Sequence, residues 1–303
     1  MPREIVLLTG EREAPHLAGH LRVFAPALSV RHVATRAALD EAFAVAAPGR
    51  RLLILTDGAG MPARVASLLE RRGYGASRLW VLENLGGSDE RVVAGTQALT
   101  DLNLLAVECR VATGMRPLSR AAGLPDSAFL HDGGLTPREG RAVILALLAP
   151  LPGETLWDVG AGCGSVAIEW CRAGGRALAV EARPDRADHN ARNPLALGVP
   201  DLKVRIAAAP AGLPLDVRPP DAVFVGGAVA DPGLLDICRA ALAPGGRLVA
   251  KAASTEGEAA LIAFHAQHGG EMLRIDVARL RPDSGVHAWH PVGPVTLYAG
   301  WKR

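Results

Sequence analysis

The stretch Leu156-Trp-Asp-Val-Gly-Ala-Gly-Cys-Gly-Ser165 constrains this chain more than any other. An apolar run ending in an acid, then alternating glycines, then the helix-like Val166–Cys171, predicts strand, tight turn and helix. That is the opening unit of an open α/β sheet, whose ligand sites lie at the carboxyl ends of the strands. Gly160, Gly162 and Gly164 carry no Cβ, so the backbone there can come within van der Waals contact of a ligand. Asp158 is placed to accept hydrogen bonds from an ammonium group of that ligand, directly or through water.

Ala177–Val180 predicts a second strand ending in Glu181, seventeen residues after Gly164. An acid at that place takes both hydroxyls of a ribose in a bidentate pair. Glycine loop and acid together point to an adenosine-containing cofactor. Dinucleotide sites use G-x-G-x-x-G, with a helix N-terminus facing a pyrophosphate. Here Ser165 stands in place of the third glycine, which favours S-adenosylmethionine, its methionine ammonium being the partner for Asp158. Taken alone, a glycine loop also fits a plain tight turn.

Asp221–Val225 and Leu248–Lys251 predict two further strands, the second after the turn Leu242-Ala-Pro-Gly-Gly-Arg247. Gly226 and Gly227 follow the first of them, where a substrate would approach the methyl donor; they are expected to leave room for a large planar ligand. Thr136-Pro-Arg-Glu139 predicts a helix start with Thr136 as cap, Pro137 at the first position and Glu139 completing a capping box.

Length and charge bound the rest. At 303 residues the chain is expected to form two domains. Short Val/Ile/Leu runs at Ile5–Leu8, Val30–Val33, Leu52–Leu55, Leu79–Val81 and Leu104–Val107 alternate with helix-like stretches at Ala14–Phe24, Ala37–Ala46 and Pro62–Arg72. This reads as a first series of βα units around a parallel sheet. The expected boundaries are a smaller α/β domain over 1–117, a linker over 118–127 rich in Gly and Pro, and the glycine-loop domain over 128–303. A net charge of +2 and 4% aromatics argue against a nucleic-acid partner. Cys109, Cys163, Cys171 and Cys238 show no paired spacing, and the N-terminal apolar run is too short for a signal peptide or membrane span. A soluble, cytoplasmic protein without a membrane partner is expected.

At this point a resemblance becomes specific. His131-Asp-Gly-Gly-Leu-Thr-Pro-Arg-Glu139, Trp157-Asp-Val-Gly-Ala-Gly-Cys-Gly-Ser-Val-Ala-Ile-Glu-Trp170 and Asp221-Ala-Val-Phe-Val-Gly-Gly227 resemble, in family order, the C-terminal half of the precorrin-6Y C5,15-methyltransferase (decarboxylating) family of cobalamin biosynthesis. Ala278-Arg-Leu-Arg-Pro-Asp-Ser-Gly-Val-His-Ala-Trp289 is similar to that family's ending. Leu55-Thr-Asp-Gly-Ala-Gly60, Arg78–Arg91 and Asn103–Glu108 resemble the later part of its N-terminal module, the second lobe of a tetrapyrrole methylase. That module's opening glycine-rich strand-loop and Gly-Asp-Pro segment are not found before Leu52, and residues 1–47 match nothing in it. C5 methylation is therefore not expected, and a truncated, remodelled or misassigned N-terminus would each account for the gap.

The resemblance implies a Rossmann-like class I methyltransferase domain, methylation at C15 of a precorrin, and loss of the ring C acetate as carbon dioxide. The macrocycle serves as electron sink, so the protein's contribution is proximity and orientation. The implied cofactor-binding set is Thr136, Asp158, Gly160, Ala161, Gly162, Gly164, Ser165, Glu181, Ala208, Ala209, Gly226 and Gly227. Ala207-Ala-Ala-Pro210 stands where an acid often faces adenine, leaving backbone contacts for that ring. Cationic candidates for the substrate carboxylates are Arg138, Lys251, Arg279 and Arg281, with His131 at the same mouth. Lys251 stands where the family tends to place Asn. A homotetramer is a further implication.

Several other readings compete. His265-x-x-His268 and His287-x-x-His290 have the spacing of metal ligands but no Cys or carboxylate cluster beside them, so no metal is expected. Cys163 at a helix start could be a nucleophile, although methyl transfer needs none. An RNA or other small-molecule methyltransferase is the rival enzyme, and Val225-Gly-Gly-Ala228 lacks the Asn/Asp-Pro-Pro-aromatic group of base methylases. Residues 1–117 could also serve as an interaction domain alone.

Overall fold

The computed structural model describes residues 48–302 except 50, 57, 86, 87 and 102, together with the strand backbone of 5–9 and 32–34. The predicted helices Ala14–Phe24 and Ala37–Ala46 lie outside the described residues. Two units make up the chain, Met1–Leu118 and Ser119–Arg303.

The first unit holds strands β1 (Ile5–Thr9), β2 (His32–Ala34), β3 (Arg51–Leu55), β4 (Arg78–Glu83), β5 (Arg91–Ala94) and β6 (Asn103–Glu108), with helix α1 (Met61–Arg71). Their order is β2-β1-β3-β6-β4-β5. Only part of this sheet is parallel as expected: β1 pairs parallel with β2 and β3, while β6 runs antiparallel to β3 and β4, and β5 to β4. The β4–β5 connection is short, and a short connection joins neighbours antiparallel. β5 itself went unpredicted because its residues alternate between half-buried and exposed, without a buried apolar run. Leu52 and Ile54 on β3 and Leu105 and Val107 on β6, each two apart, face Val65 and Leu69 of α1, which are four apart.

In the second unit are α2 (Arg138–Leu148), β7 (Thr155–Val159), α3 (Ser165–Arg172), β8 (Arg176–Glu181), α4 (Ala187–Leu197), β9 (Lys203–Ile206), β10 (Ala222–Val225), α5 (Leu234–Ala241), β11 (Arg247–Ala252), α6 (Thr255–His268), β12 (Glu271–Asp283) and β13 (Val286–Trp301). The order is β12-β13-β11-β10-β7-β8-β9; the five strands from β11 to β9 are parallel, and β13 and β12 close the edge antiparallel. Both faces are covered. Ala222 and Phe224 of β10 pack into one core with Ile144, Leu148, Ile168 and Trp170, whereas Val223 and Val225 join Leu234, Cys238, Leu261 and Phe264 in the other. This is why β10 reads as an unbroken apolar run and not an alternating one.

Strand order reverses between β7 and β10, because β8 lies to one side of β7 and β10 to the other. Such a reversal opens a crevice at the carboxyl ends of the two strands.

The stretch 118–127, expected as a linker, is drawn into the second unit from Ser119 onward. Leu124 is 1% exposed and belongs to its core. A buried ion pair lies at the centre of this packing. Arg141, fully buried, donates from Nε to Glu169 Oε1 at 2.6 Å and from its other nitrogens to Asp126 and to the carbonyls of Leu124 and Thr136. Glu169 also accepts from the amides of Gly123 (2.6 Å) and Leu124 (3.1 Å). The Gly- and Pro-rich composition that suggested a connector instead reflects a loop folded tightly around one guanidinium.

Helix α2 starts one residue later than the capping-box reading requires. Pro137 is the N-cap residue, and no side chain caps the helix. Thr136 Oγ1 accepts from Lys251 Nζ at 2.9 Å, and Glu139 accepts from Arg279 at 2.7 Å. Both groups of the expected box are thus taken by long-range partners, a competition that local spacing cannot register.

Candidate functional site

A cavity of about 310 Å³ opens where the strand order reverses. The glycine loop after β7, Glu181 at the end of β8, Ala207 and Ala209 after β9, Gly226 and Gly227 after β10, and Lys251 of β11 line it. Gly134 and Thr136, brought in by the loop wrapped around Arg141, form another wall. Of the cofactor set expected from sequence, Thr136, Gly160, Ala161, Gly162, Ser165, Glu181, Ala209, Gly226 and Gly227 line this one space. Asp158, Gly164 and Ala208 are not among the lining residues.

The glycines have reasons within the protein as well as toward a ligand. Gly160 has φ +72°, and a Cβ there would lie 2.6 Å from the Gly227 nitrogen and 2.8 Å from its Cα. A Cβ on Gly226 would lie 2.8 Å from the Phe224 ring and 3.3 Å from the Gly160 carbonyl, whereas one on Gly227 would meet Gly160 only at ordinary contact distance. Gly164, also left-handed at φ +80°, is the N-cap residue of α3 and abuts Asn190 Oδ1.

Two asparagines three apart on α4 hold the loop in place. Asn190 Nδ2 donates to the Gly162 carbonyl at 2.8 Å. Asn193 Nδ2 donates to the carbonyls of Cys163 (3.1 Å) and Leu130 (2.9 Å), and its Oδ1 accepts from the Leu130 amide at 2.8 Å. Sequence reading missed both. Their i, i+3 spacing places them on one helix face, which was the available signal.

Asp158 is 1% exposed; its Oδ2 accepts from the Ala167 amide at 3.0 Å, while its Oδ1 is buried without a hydrogen-bond partner. Burial pushes its carboxyl up to about 7, with the nearby Glu181 charge adding to the rise and the Ala167 amide and Lys251 opposing it. A buried acceptor without a donor is costly, and an ammonium supplied by a ligand would satisfy it. Glu181, 4% exposed, accepts from the Gly162 amide at 2.7 Å through Oε2 and from the Arg183 amide at 3.0 Å through Oε1. Each carboxylate oxygen keeps a second lone pair for a ligand hydroxyl. Free acceptor, glycine cradle and second acid all fit S-adenosylmethionine.

Arg183 and Arg186 also line the cavity, and neither was expected. Arg186 donates to Asp132 at 2.9 Å and lies 3.6 Å from Glu181, so it bridges the loop before α2 to the end of β8. The Gly134 amide and the Arg186 guanidinium hold the Asp132 carboxyl down at about 2. No local pattern announces this arginine, because its hydrogen-bond partner Asp132 lies 54 residues away.

The cationic candidates separate. Lys251 lines the cavity. Arg279 is tied to Glu139 and Asp126, Arg138 lies beside Glu139 with its side chain 55% exposed, and Arg281 is exposed on β12. His131 is exposed and accepts from the Gly133 amide. None of these four lines the cavity. Burial pushes the Cys163 thiol up, which opposes thiolate formation. His265 contacts the Gly270 carbonyl and His268 contacts Asp236. Among the described residues no group of three or more His, Cys, Asp or Glu could hold a metal, and no helix is long and apolar enough to cross a membrane.

A parallel core with reversed order at its centre, an antiparallel edge pair and a glycine-lined cavity at the reversal define a Rossmann-like methyltransferase domain of the S-adenosylmethionine-dependent class. Its likeness to the crystal structure of the C-terminal domain of precorrin-6Y C5,15-methyltransferase from Rhodobacter capsulatus is 43% identity at TM-score 0.58, over 61% of this chain and 100% of that one. The chain belongs to the family described as precorrin methyltransferase domain, whose model matches residues 127–302. It is 45% identical over 265 residues to precorrin-6Y C(5,15)-methyltransferase [decarboxylating] of Sinorhizobium sp, covering 84% of this chain and 63% of that protein. With the protein of the same name from Mycobacterium tuberculosis CDC 1551 it shares 39% identity, over 84% of this chain and 66% of that one. The chain thus spans about two thirds of the length of these relatives.

Asp158 is expected to make cofactor binding pH-dependent. Its folded value, about 7, stands above the ordinary 3.8, so between those values the folded cofactor-free protein holds a proton that the unfolded chain has released. The stability from this group is present below about pH 4 and is lost as pH rises through about 7. A ligand ammonium needs the ionised carboxylate. Affinity for S-adenosylhomocysteine, measured by calorimetry, is expected to fall by up to about tenfold per unit as pH drops below 7, and the Asp158→Asn protein to lose this dependence. A flat wild-type profile from pH 5 to about 8 would remove Asp158 from the ammonium site.

Proposed function

We propose that the second unit methylates C15 of a precorrin of the 6Y/6B type and releases its ring C acetate as carbon dioxide. The observation that carries this reading is the cavity at the strand reversal, in a chain of the precorrin methyltransferase family, with a buried free acceptor on Asp158 beside a glycine loop. Curated relatives bearing both the methylase and the decarboxylating name support the coupling of the two events. When bound, S-adenosylmethionine supplies an electrophilic methyl group.

In this reading Asp158 and Glu181 bind and orient the donor, and Gly160 and Gly162 admit it to the backbone. Lys251 and Thr136 form the wall on the β11 side, where a polycarboxylate substrate meets a cation. Because the macrocycle carries the electrons, the chain's first task is alignment and water exclusion. The methyltransferase domain covers 128–303, and the segment from Ser119 packs with it. The stretches from Leu55 to Glu108 resemble the second lobe of a tetrapyrrole methylase, and C5 methylation is not assigned to them. We place the reaction in the cytoplasm, with precorrin as the partner molecule and a homo-oligomer as the working form.

Incubation of the full chain with the C11-methylated, reduced precorrin and labelled donor, followed by mass measurement, is expected to show one methyl gained and one carbon dioxide lost. Two methyls gained would assign C5 activity to the first unit. Methylation of bulk RNA with no change in the precorrin would replace the reading by its rival.

A further inference from the structure

Lys251 lines the cavity on its β11 side. Across the sheet the lining residues follow one another from Glu181 on β8, through the glycine loop after β7 and Gly226 and Gly227 after β10, to Lys251 on β11. With the ribose at Glu181, the β10–β11 side is left for the methyl acceptor. An ammonium has three N–H donors. Thr136 Oγ1 takes one of them at 2.9 Å, and Asp158 of β7 acts on the charge through space. Carboxylates on the helices packed against β11 are engaged elsewhere, Glu139 of α2 with Arg279 and Glu258 of α6 with Thr296 and Arg274. Leu297, opposite Lys251 on β13, carries no charge.

The geometry points to Lys251 as the general acid that protonates the carbon from which carbon dioxide departs. This rests on the methylation and decarboxylation reading above. The bond between the acetate methylene and its carboxylate breaks, and carbon dioxide leaves without the electron pair. That pair takes a proton from Nζ, the new C–H bond completes a methyl group where the acetate stood, and Lys251 is left as a neutral amine that regains its proton from water. Burial already lowers the hold of Lys251 on its proton, with Asp158 opposing in part. A cation serving only as an anchor would instead favour the intact carboxylate over its neutral product. Lysine, unlike arginine, can release a proton near neutral pH.

The test uses the full chain, the reduced precorrin and labelled donor, with wild type, Lys251→Met and Lys251→Arg compared. Both variants are expected to slow carbon dioxide release by about a hundredfold, with S-adenosylhomocysteine affinity within about threefold and the melting temperature unchanged. The wild-type rate is expected to fall on the alkaline side with a pKa below the usual lysine value of about 10.4, a limb absent from both variants. An NMR titration of Lys251 in cofactor-free protein should show the same lowered value. Full release by the arginine variant with no alkaline limb, unchanged release by the methionine variant, loss of fold or cofactor binding in both, or an ordinary lysine titration would each overturn the assignment. A wild-type chain that neither methylates nor decarboxylates the precorrin would instead sink the functional reading beneath it.

Discussion

Arg141→Ala is expected to destabilise the second unit by about 3–5 kcal/mol, the usual cost of removing one partner from a buried ion pair. The guanidinium is fully buried, and its loss would leave Glu169 charged in the core and the carbonyls of Leu124 and Thr136 without their donor. At roughly 2–4 °C per kcal/mol for a domain of this size, the melting temperature should fall by on the order of 10–15 °C. Arg141→Lys should recover only part of this, because a point charge cannot reach acceptors that spread around a planar fork. Arg138→Ala, at an exposed position three residues earlier, should stay within about 0.5 kcal/mol. Gly134 and Thr136 depend on the same knot for their place in the cavity wall, so affinity for S-adenosylhomocysteine should weaken together with stability. Melting of Arg141→Ala within about 2 °C of wild type would show that the 119–136 loop holds without its guanidinium.

Gly160→Ala should have the largest effect on binding. A methyl group there meets the Gly227 backbone at 2.6 Å, and φ is +72°, a left-handed conformation that costs a residue with a Cβ about 1–2 kcal/mol. Neither contact can be relieved by rotating a side chain, since the obstacle is main chain. The glycine loop must therefore lift from β10, which opens the cavity at its centre. Calorimetry is expected to show at least a hundredfold loss of S-adenosylhomocysteine affinity (about 2.7 kcal/mol), with a lower melting temperature. Gly293→Ala is the matched control, because nothing lies within 4 Å of its missing Cβ. Wild-type affinity in Gly160→Ala would mean that the loop and β10 do not need their close approach.

Much of the second unit was legible before any coordinates. The strand 155–159, the acid at its end, the three glycines and Glu181 were visible because each signal is local: apolar run, turn chemistry and helix onset fall within a few residues. The antiparallel half of the first sheet was not legible, since an apolar run predicts a strand and says nothing about its direction. Cations were the weakest part. Arg138, Lys251, Arg279 and Arg281 looked alike as charges, yet only Lys251 lines the cavity, and Arg141, Arg183 and Arg186 were passed over. An arginine's role depends on which carboxylates reach it, and the farther of those partners lie 28 residues away for Arg141 and 54 for Arg186.

The sequence by itself determined the strand, glycine loop and helix of the cofactor unit and the acid that follows on β8, because those features arise from backbone freedom and short-range periodicity. Only the tertiary structure decided that Asp158 keeps a buried oxygen free, that Gly160 makes way for Gly227, and that Lys251 faces the cavity while its fellow candidates do not. Burial and pairing are properties of groups distant along the chain, and they acquire values only when the sheet brings them together.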